Sequence, residues 1–334
     1  MKVYCKKLVA AVLVVCMALG MTACGSKPLD GSQIVATVGE KEMTLGEANF
    51  LLRYQQVQTE TYYESLLGED IYEKDLYGTG SSYGVDFKAD VMTQMHEYYA
   101  IEEKAADYGV ALTAEDTAAI EETAKTFVEA NPKETLEQMT ADQATVERVL
   151  TLMTIRSKVA ATVKAEADVN ISEEEAAQRG FAYITISKGS GDSALTEEEI
   201  QDYKVKLQAV IESVKEGNTI EGAAVEQGLT AYTGNYNKST GSYYDPVLVE
   251  AMNAVSEGEA TEIVETDANI YVAQVTAEVD EEATANAKEA LIKTAQTEYF
   301  NGLVGEWAEE YPLTVNETVW EQVVFDRSYD IKPE

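Results

Sequence analysis

Apolar and polar positions divide the chain after residue 33 into a helical section, a mixed middle section and a short helical end. Residues 34–43 alternate β-branched and turn residues, which predicts two short strands joined at Gly39. Apolar residues then recur at a helical period. This period predicts four helices, which run from Thr44 to about Leu67, over 86–108 up to Gly109, from Thr113 to before Asn131, and over 141–167.

Capping patterns mark where several of these helices begin. Thr44 with Glu47 and Thr113 with Asp116 have the spacing of a capping box, in which the two side chains bond each other's backbone N–H groups. Gly109 follows the second helix and is typical of a helix end, because glycine readily adopts the left-handed conformation. The first folded third is therefore predicted to be mostly helical.

The period and composition change at residues 168–170, where a mixed section begins. Residues 181–186 have strand character and residues 220–227 a helical pattern. The full prediction is a short helix over 172–178, a strand over 181–186, helices from Thr196 to Gly217 and over 220–227, a loop to Tyr244, a helix over 246–255, and strands near 261–264 and 269–276.

The last section holds a predicted helix over 282–309 and two strand-like pieces, 313–315 and 319–325. It is too small to bury a core of its own, so we expect it to pack against the first helical section. The sequence thus predicts an α+β fold in which a small antiparallel-sheet domain is inserted into a helical outer domain. The predicted segments are a signal peptide (1–23), an anchor and linker (24–33), a helical domain (34–168), the inserted domain (169–280) and a C-terminal helix with strands (281–334).

The amino terminus has the pattern of a secretory signal. Three lysines precede an apolar stretch from Leu8 to Leu19, which is too short for a stable membrane span. The run Met21-Thr22-Ala23-Cys24 resembles the bacterial lipobox, in which cleavage leaves a lipidated cysteine. We therefore expect lipidation at Cys24 and a location on the extracytoplasmic face of the bacterial cell membrane; an ordinary signal peptide or an uncleaved anchor is the alternative.

Composition narrows the possible functions of this 334-residue chain. A hydrophobic content of 45% supports packed cores, and a net charge of −35 makes nucleic acid an improbable partner. All three cysteines precede residue 25, and His96 is the one histidine, which we interpret as structural. No metal site and no cofactor are therefore predicted.

Two stretches, IVATVGEKEMTLGEANFLL (34–52) and DPVLVEAMNAVSEGEATEIVETDANIYVAQV (245–275), lie after the lipobox in the order seen in a known family. The chain resembles the secreted parvulin-type peptidyl-prolyl isomerases, the PrsA and SurA foldases. This resemblance implies a SurA-like helical domain around a parvulin-like domain. It also implies unfolded secreted polypeptides as partners, and chemistry that rotates an Xaa-Pro bond over a barrier of about 18–20 kcal/mol.

The resemblance also places the family's site on this chain, with changes. The two histidines of active parvulins match Tyr183 and Tyr271, and the phenylalanine of the proline pocket matches Asn253. Period-2 alternation would bring both tyrosines to one sheet face if their strands pair. The resemblance adds Met252, beside Asn253, as a candidate substrate contact, and the tyrosine-rich composition adds Tyr243 and Tyr244.

These changes favour a membrane-anchored foldase or chaperone with weak or no isomerase activity. Two alternatives stay open from the sequence. One is an active isomerase in which Tyr183, Tyr271 and Asn253 form an altered polar centre. The other is a lipoprotein that binds one fixed envelope partner and has no chaperone role. Tyr183 and Tyr271 themselves could also be ordinary half-buried strand residues.

Overall fold

The computed structural model describes residues 19–22, 27–67, 70–239, 243–326 and 328–331. The chain divides into two compact units, which we call the helical unit (Met1–Ala167 with Thr297–Glu334) and the sheet unit (Asp168–Gln296). Helices and small antiparallel sheets make up the molecule, so the predicted α+β class is confirmed. Cys24 and most of the predicted signal peptide lie outside the described residues.

The helices and strands have the following bounds. The helices are α1 (Leu45–Leu67), α2 (Tyr83–Lys104), α3 (Ala114–Ala130), α4 (Lys133–Met139), α5 (Gln143–Glu166), α6 (Glu173–Ala176), α7 (Glu197–Lys215), α8 (Ile220–Glu226), α9 (Pro246–Asn253), α10 (Glu281–Glu310) and α11 (Glu317–Trp320). The strands are β1 (Leu19–Thr22), β2 (Ile34–Val38), β3 (Lys41–Thr44), β4 (Arg179–Ser187), β5 (Ala231–Tyr236), β6 (Val264–Glu265), β7 (Asn269–Ala277), β8 (Leu313–Val315) and β9 (Ser328–Ile331).

The helical unit is built around α1, α2 and α5. Apolar residues of these helices form its main core, together with residues of the three-stranded sheet β3-β2-β8 and of α11. The predicted capping boxes are present: Thr44 N–H donates to Glu47 at 2.7 Å, and Thr113 N–H donates to Asp116 at 2.8 Å. Gly109 closes the turn after α2 with a φ of 63°, as predicted.

A row of buried polar side chains on α1 holds the C-terminal segment of the chain. Arg53 donates to the Gln56 side chain at 2.7 Å and to the Val324 carbonyl at 2.8 Å. Gln56 donates in turn to Glu60 at 2.7 Å, and Glu60 accepts the backbone N–H of Tyr329 at 2.7 Å. Because these groups are buried, their mutual hydrogen bonds offset the cost of removing them from water.

The sheet unit contains a four-stranded antiparallel sheet in the order β5-β4-β7-β6. On one face, Ala182 and Ile184 of β4 pack with Ile270 and Val272 of β7 against α7 and α8. On the other face, residues that alternate with these pack beside α9. Both faces of the two central strands are covered, so β4 and β7 carry apolar residues at most positions.

The structure differs from the sequence predictions at several elements, and strands β1 and β9 were not predicted. The stretch before Tyr244, predicted as loop, contains β5, an edge strand that forms because it pairs along β4. Residues 319–325 are not a strand: α11 covers their start. Near 261–264 only Val264 belongs to a strand, and α4 was not predicted, because its seven residues are too few for a clear helical period.

Among the described residues, no helix combines the length and the apolar character that a membrane crossing needs.

Candidate functional site

Tyr183 and Tyr271 lie on the same face of the four-stranded sheet. Strands β4 and β7 pair antiparallel, with Tyr183 opposite Ala273 and Thr185 opposite Tyr271. Residues opposite each other in an antiparallel pair share a face, and so do residues two apart along a strand. The two tyrosines therefore occupy diagonal positions on the face that α9 flanks.

Aromatic rings fill much of this face, and Phe181 lies at their centre. Its ring centroid is 5.4 Å from that of Tyr183, 5.7 Å from that of Tyr236 and 4.9 Å from that of Tyr244. Tyr183 also contacts Tyr232 across the strand pair, with centroids 5.8 Å apart. We call these five residues the aromatic face. Edge-to-face and tilted ring pairs of this kind add stability beyond the burial of their area.

Tyr244 closes over the sheet because residue 234 is glycine. A Cβ at Gly234 would lie 2.2 Å from the Tyr244 hydroxyl oxygen and 3.1 Å from a ring carbon of Phe181. The Tyr244 ring also meets Tyr183 at a centroid distance of 5.7 Å. The Tyr244 ring thus lies on the backbone of β5, directly beside the predicted site residue Tyr183.

The other predicted site residues are distributed around α9. Met252 is fully buried in the core beside the aromatic face, so it has no surface to offer a substrate in this conformation. Asn253 is exposed, and its side-chain oxygen accepts the Tyr236 hydroxyl at 2.8 Å. Tyr243 is fully exposed. The structure therefore brings Tyr183, Tyr271 and Tyr244 to one face, leaves Tyr243 in solvent and ties Asn253 to Tyr236.

Arg179 is an organising residue of this region that the sequence did not indicate. Its guanidinium, 2% exposed, donates to the carbonyls of Met252 and Val255, the latter at 2.5 Å. It also donates to the Tyr236 hydroxyl at 3.3 Å and pairs with Glu278. Arg179 therefore fastens the end of α9 to the start of β4. An arginine at the start of an apolar strand carries no sequence signal of such a role.

Two phenols on this face, those of Tyr271 and Tyr244, have raised pKa values. Burial and the nearby Asp245 carboxylate raise the pKa of Tyr271 above its ordinary value. Burial and Tyr183 raise the pKa of Tyr244 in the same way. A neutral phenol offers one donated proton, whereas a pair of histidines can also relay a proton and carry charge.

The helical unit contains a small apolar pocket between α1, α3 and α5. Its cavity volume is about 30 Å³, room for only a water molecule or two. Phe50 and Phe127 form one wall, with their rings edge to face at a centroid distance of 5.6 Å. The remaining wall is largely aliphatic and includes Leu51, Val146, Val149, Leu150 and Met153. A space of this size admits no whole side chain in this conformation, so the feature is a gap in the core packing rather than an open groove.

The chain's one histidine lies outside both regions. His96 is on α2, and its Nε2 is 2.7 Å from the Tyr311 carbonyl oxygen, a structural hydrogen bond within the helical unit. In the part of the chain that the structure describes, no three His, Cys, Asp or Glu side chains are grouped as metal ligands.

No family model matches the chain, and no curated protein matches it. The solved structures similar to it include the foldase PrsA of Lactococcus lactis, at 11% identity and a TM-score of 0.35 over 87% of this chain and 99% of that one. PrsA of Bacillus cereus, a peptidylprolyl isomerase, aligns at 12% identity and 0.32, over 88% and 97%. A structure from Campylobacter jejuni, described with the SurA-like chaperones PEB4 and Cj1289, aligns at 9% identity and a TM-score of 0.27. The alignment covers 84% of this chain and 98% of that one.

Proposed function

We propose that the chain is a lipid-anchored, extracytoplasmic foldase that binds unfolded or partly folded secreted polypeptides and has little or no peptidyl-prolyl isomerase activity. Three observations support the proposal. The sequence resembles the PrsA and SurA foldases over most of its length, and its amino terminus has a lipobox-like run ending at Cys24. The third is the state of the sheet face on which the family's chemistry would take place.

The main support for low isomerase activity is that the chain's own side chains occupy this sheet face. Isomerase catalysis needs an open apolar pocket for the proline ring beside polar groups that stabilise the twisted amide. Here Met252 is fully buried and Tyr244 covers Gly234. The two family histidine positions hold neutral phenols, which supply less electrostatic stabilisation to a twisted amide than a charged or relaying pair. A proline ring would have to displace Tyr244 to enter.

Binding of unfolded segments is compatible with the same features. Tyr232 is half-exposed on the aromatic face, Tyr243 is fully exposed, and each offers apolar area with a polar tip. The net charge of −35 would repel acidic clients and favour basic ones through long-range attraction.

The first test measures isomerisation directly. NMR exchange spectroscopy on Ala-Ala-Xaa-Pro peptides with residues 25–334 should give cis/trans rates equal to the uncatalysed rate. The variants Tyr183→Phe and Tyr271→Phe should leave the rate unchanged, as should the control Tyr203→Phe on α7. A rate well above background that is lost in the first two variants but kept in the control would establish the tyrosine-based isomerase instead.

A second test addresses client binding and anchoring. The protein should suppress aggregation of several unrelated unfolded proteins, with a stronger effect on basic than on acidic ones at low salt. A single co-purifying partner and no suppression would favour the one-partner lipoprotein. In cells, incorporation of labelled fatty acid should be lost in Cys24→Ser and retained in the control Cys16→Ser.

A further inference from the structure

The C-terminal strand β9 pairs with a strand from the predicted signal peptide. Leu19 to Thr22 run antiparallel to Ser328 to Ile331, with Met21 opposite Tyr329 and Thr22 opposite Ser328. These two strands form a sheet of their own, and β1 also lies against α4. The chain's own extended segment therefore occupies a slot between β9 and α4.

Contacts other than β1 hold β9 in place. Tyr329 is 1% exposed in the main core of the helical unit, and its N–H donates to Glu60 on α1 at 2.7 Å. Just upstream, Arg53 donates to the Val324 carbonyl. Since these bonds do not involve β1, we expect β9 to keep its position when β1 leaves.

The direction of the Tyr329 N–H indicates which backbone groups face the slot. Successive residues of a strand point their N–H and C=O groups to opposite sides. Tyr329 points its N–H toward α1, so the N–H and C=O groups of Ser328 and Asp330 point toward β1. In the observed register their partners are residues 22 and 20.

We propose that processing before Cys24 empties this slot, and that β9 of the mature protein then binds an extended client segment by antiparallel strand addition. The inference rests on the proposed foldase function and lipobox cleavage. Main-chain hydrogen bonds would provide affinity, and the client residue opposite buried Tyr329 would be apolar. The chain's own sequence has this pattern: methionine at 21 lies between Gly20 and Thr22.

A labelled peptide with the sequence of residues 18–23 (Ala-Leu-Gly-Met-Thr-Ala) tests the proposal through fluorescence anisotropy. It should bind residues 25–334, and bind at least about tenfold more weakly to the unprocessed Cys24→Ala chain, in which β1 still fills the slot. N-methylation at the glycine or threonine should abolish binding, because those N–H groups face β9. N-methylation at the methionine is the matched control and should be tolerated.

A protein variant provides an independent check. Asp330→Pro removes an N–H that faces the slot, in an edge strand where proline is accepted, and should weaken peptide binding without lowering the thermal midpoint of the helical unit. Equal binding by all N-methylated peptides, or equal binding by processed and unprocessed chains, would overturn the proposal. If the protein suppresses aggregation but does not bind the peptide, the proposal for β9 fails and the foldase proposal stands. If the protein binds the peptide but does not suppress aggregation, the foldase proposal fails.

Discussion

The role of Arg179 yields the sharpest stability prediction for the sheet unit. Arg179→Met keeps an unbranched side chain of similar reach, so the packing loss is small, but the carbonyls of Met252 and Val255 lose their cationic donor. Each buried acceptor left without that donor costs about 1–3 kcal/mol. We therefore expect the free energy of opening α9 away from β4 to fall by about 4 kcal/mol.

The matched control is Glu278→Gln. Glu278 pairs with Arg179 and Lys238, but its side chain is 45% exposed. Water screens such a pair, so its loss should cost only about 0–1 kcal/mol. The two variants remove opposite ends of one ion pair, and only Arg179→Met removes the bonds to the Met252 and Val255 carbonyls.

Hydrogen exchange followed by mass spectrometry measures both variants. A loss of about 4 kcal/mol corresponds to roughly a thousandfold faster exchange, since about 1.4 kcal/mol is tenfold. In Arg179→Met the acceleration should be largest in peptides covering α9 and the start of β4. Equal acceleration of exchange in the two variants, or acceleration of less than tenfold in Arg179→Met, would refute the conclusion that Arg179 holds α9 against β4.

Three further predictions concern single positions. Gly234→Ala should push Tyr244 off the aromatic face and cost about 1–3 kcal/mol, visible as a weaker near-ultraviolet circular dichroism signal. Two lysines lower the pKa of the exposed Glu265 to about 2. Their pairing therefore stabilises the fold above about pH 4.5 and is lost as pH falls toward 2, so Glu265→Gln should lower the thermal midpoint at pH 7 and not at pH 2. Thr113→Ala removes the capping bond to Asp116 and should cost about 1 kcal/mol in urea unfolding followed by tryptophan fluorescence.

The sequence predicted the elements whose local signals agree with their environment. The capping boxes at Thr44, Thr113 and Thr196 marked helix starts within a residue, because the cap is a local contact. Strands β4 and β7 were found from apolar character and β-branched residues. The pairing of β4 and β7 was left conditional, because register depends on contacts far apart in the chain.

The features that the sequence missed depend on tertiary contacts. Strand β5 includes Gly234 and Asn235, which disfavour a strand, and it forms because β4 supplies its hydrogen-bond partners. The row of polar residues on α1 reads as a solvated helix face, yet Glu60 and Arg53 are buried because the C-terminal segment covers them. The packing of Tyr244 over Gly234 also could not be predicted, because it is a contact between residues ten apart that no local pattern indicates.

Under the proposed function, tyrosines at the two positions that the resemblance matches to histidines change more than the protonation chemistry of the face. A phenol ring brings additional apolar area, and on this sheet that area is used in packing: Tyr183 contacts Phe181, Tyr232 and Tyr244. Rings that pack on one another stabilise the sheet but also fill the space that a proline ring would need. Under the proposed function, a face packed in this way gains stability and exposed aromatic edges but leaves less room for a proline ring, which is why we propose binding rather than bond rotation.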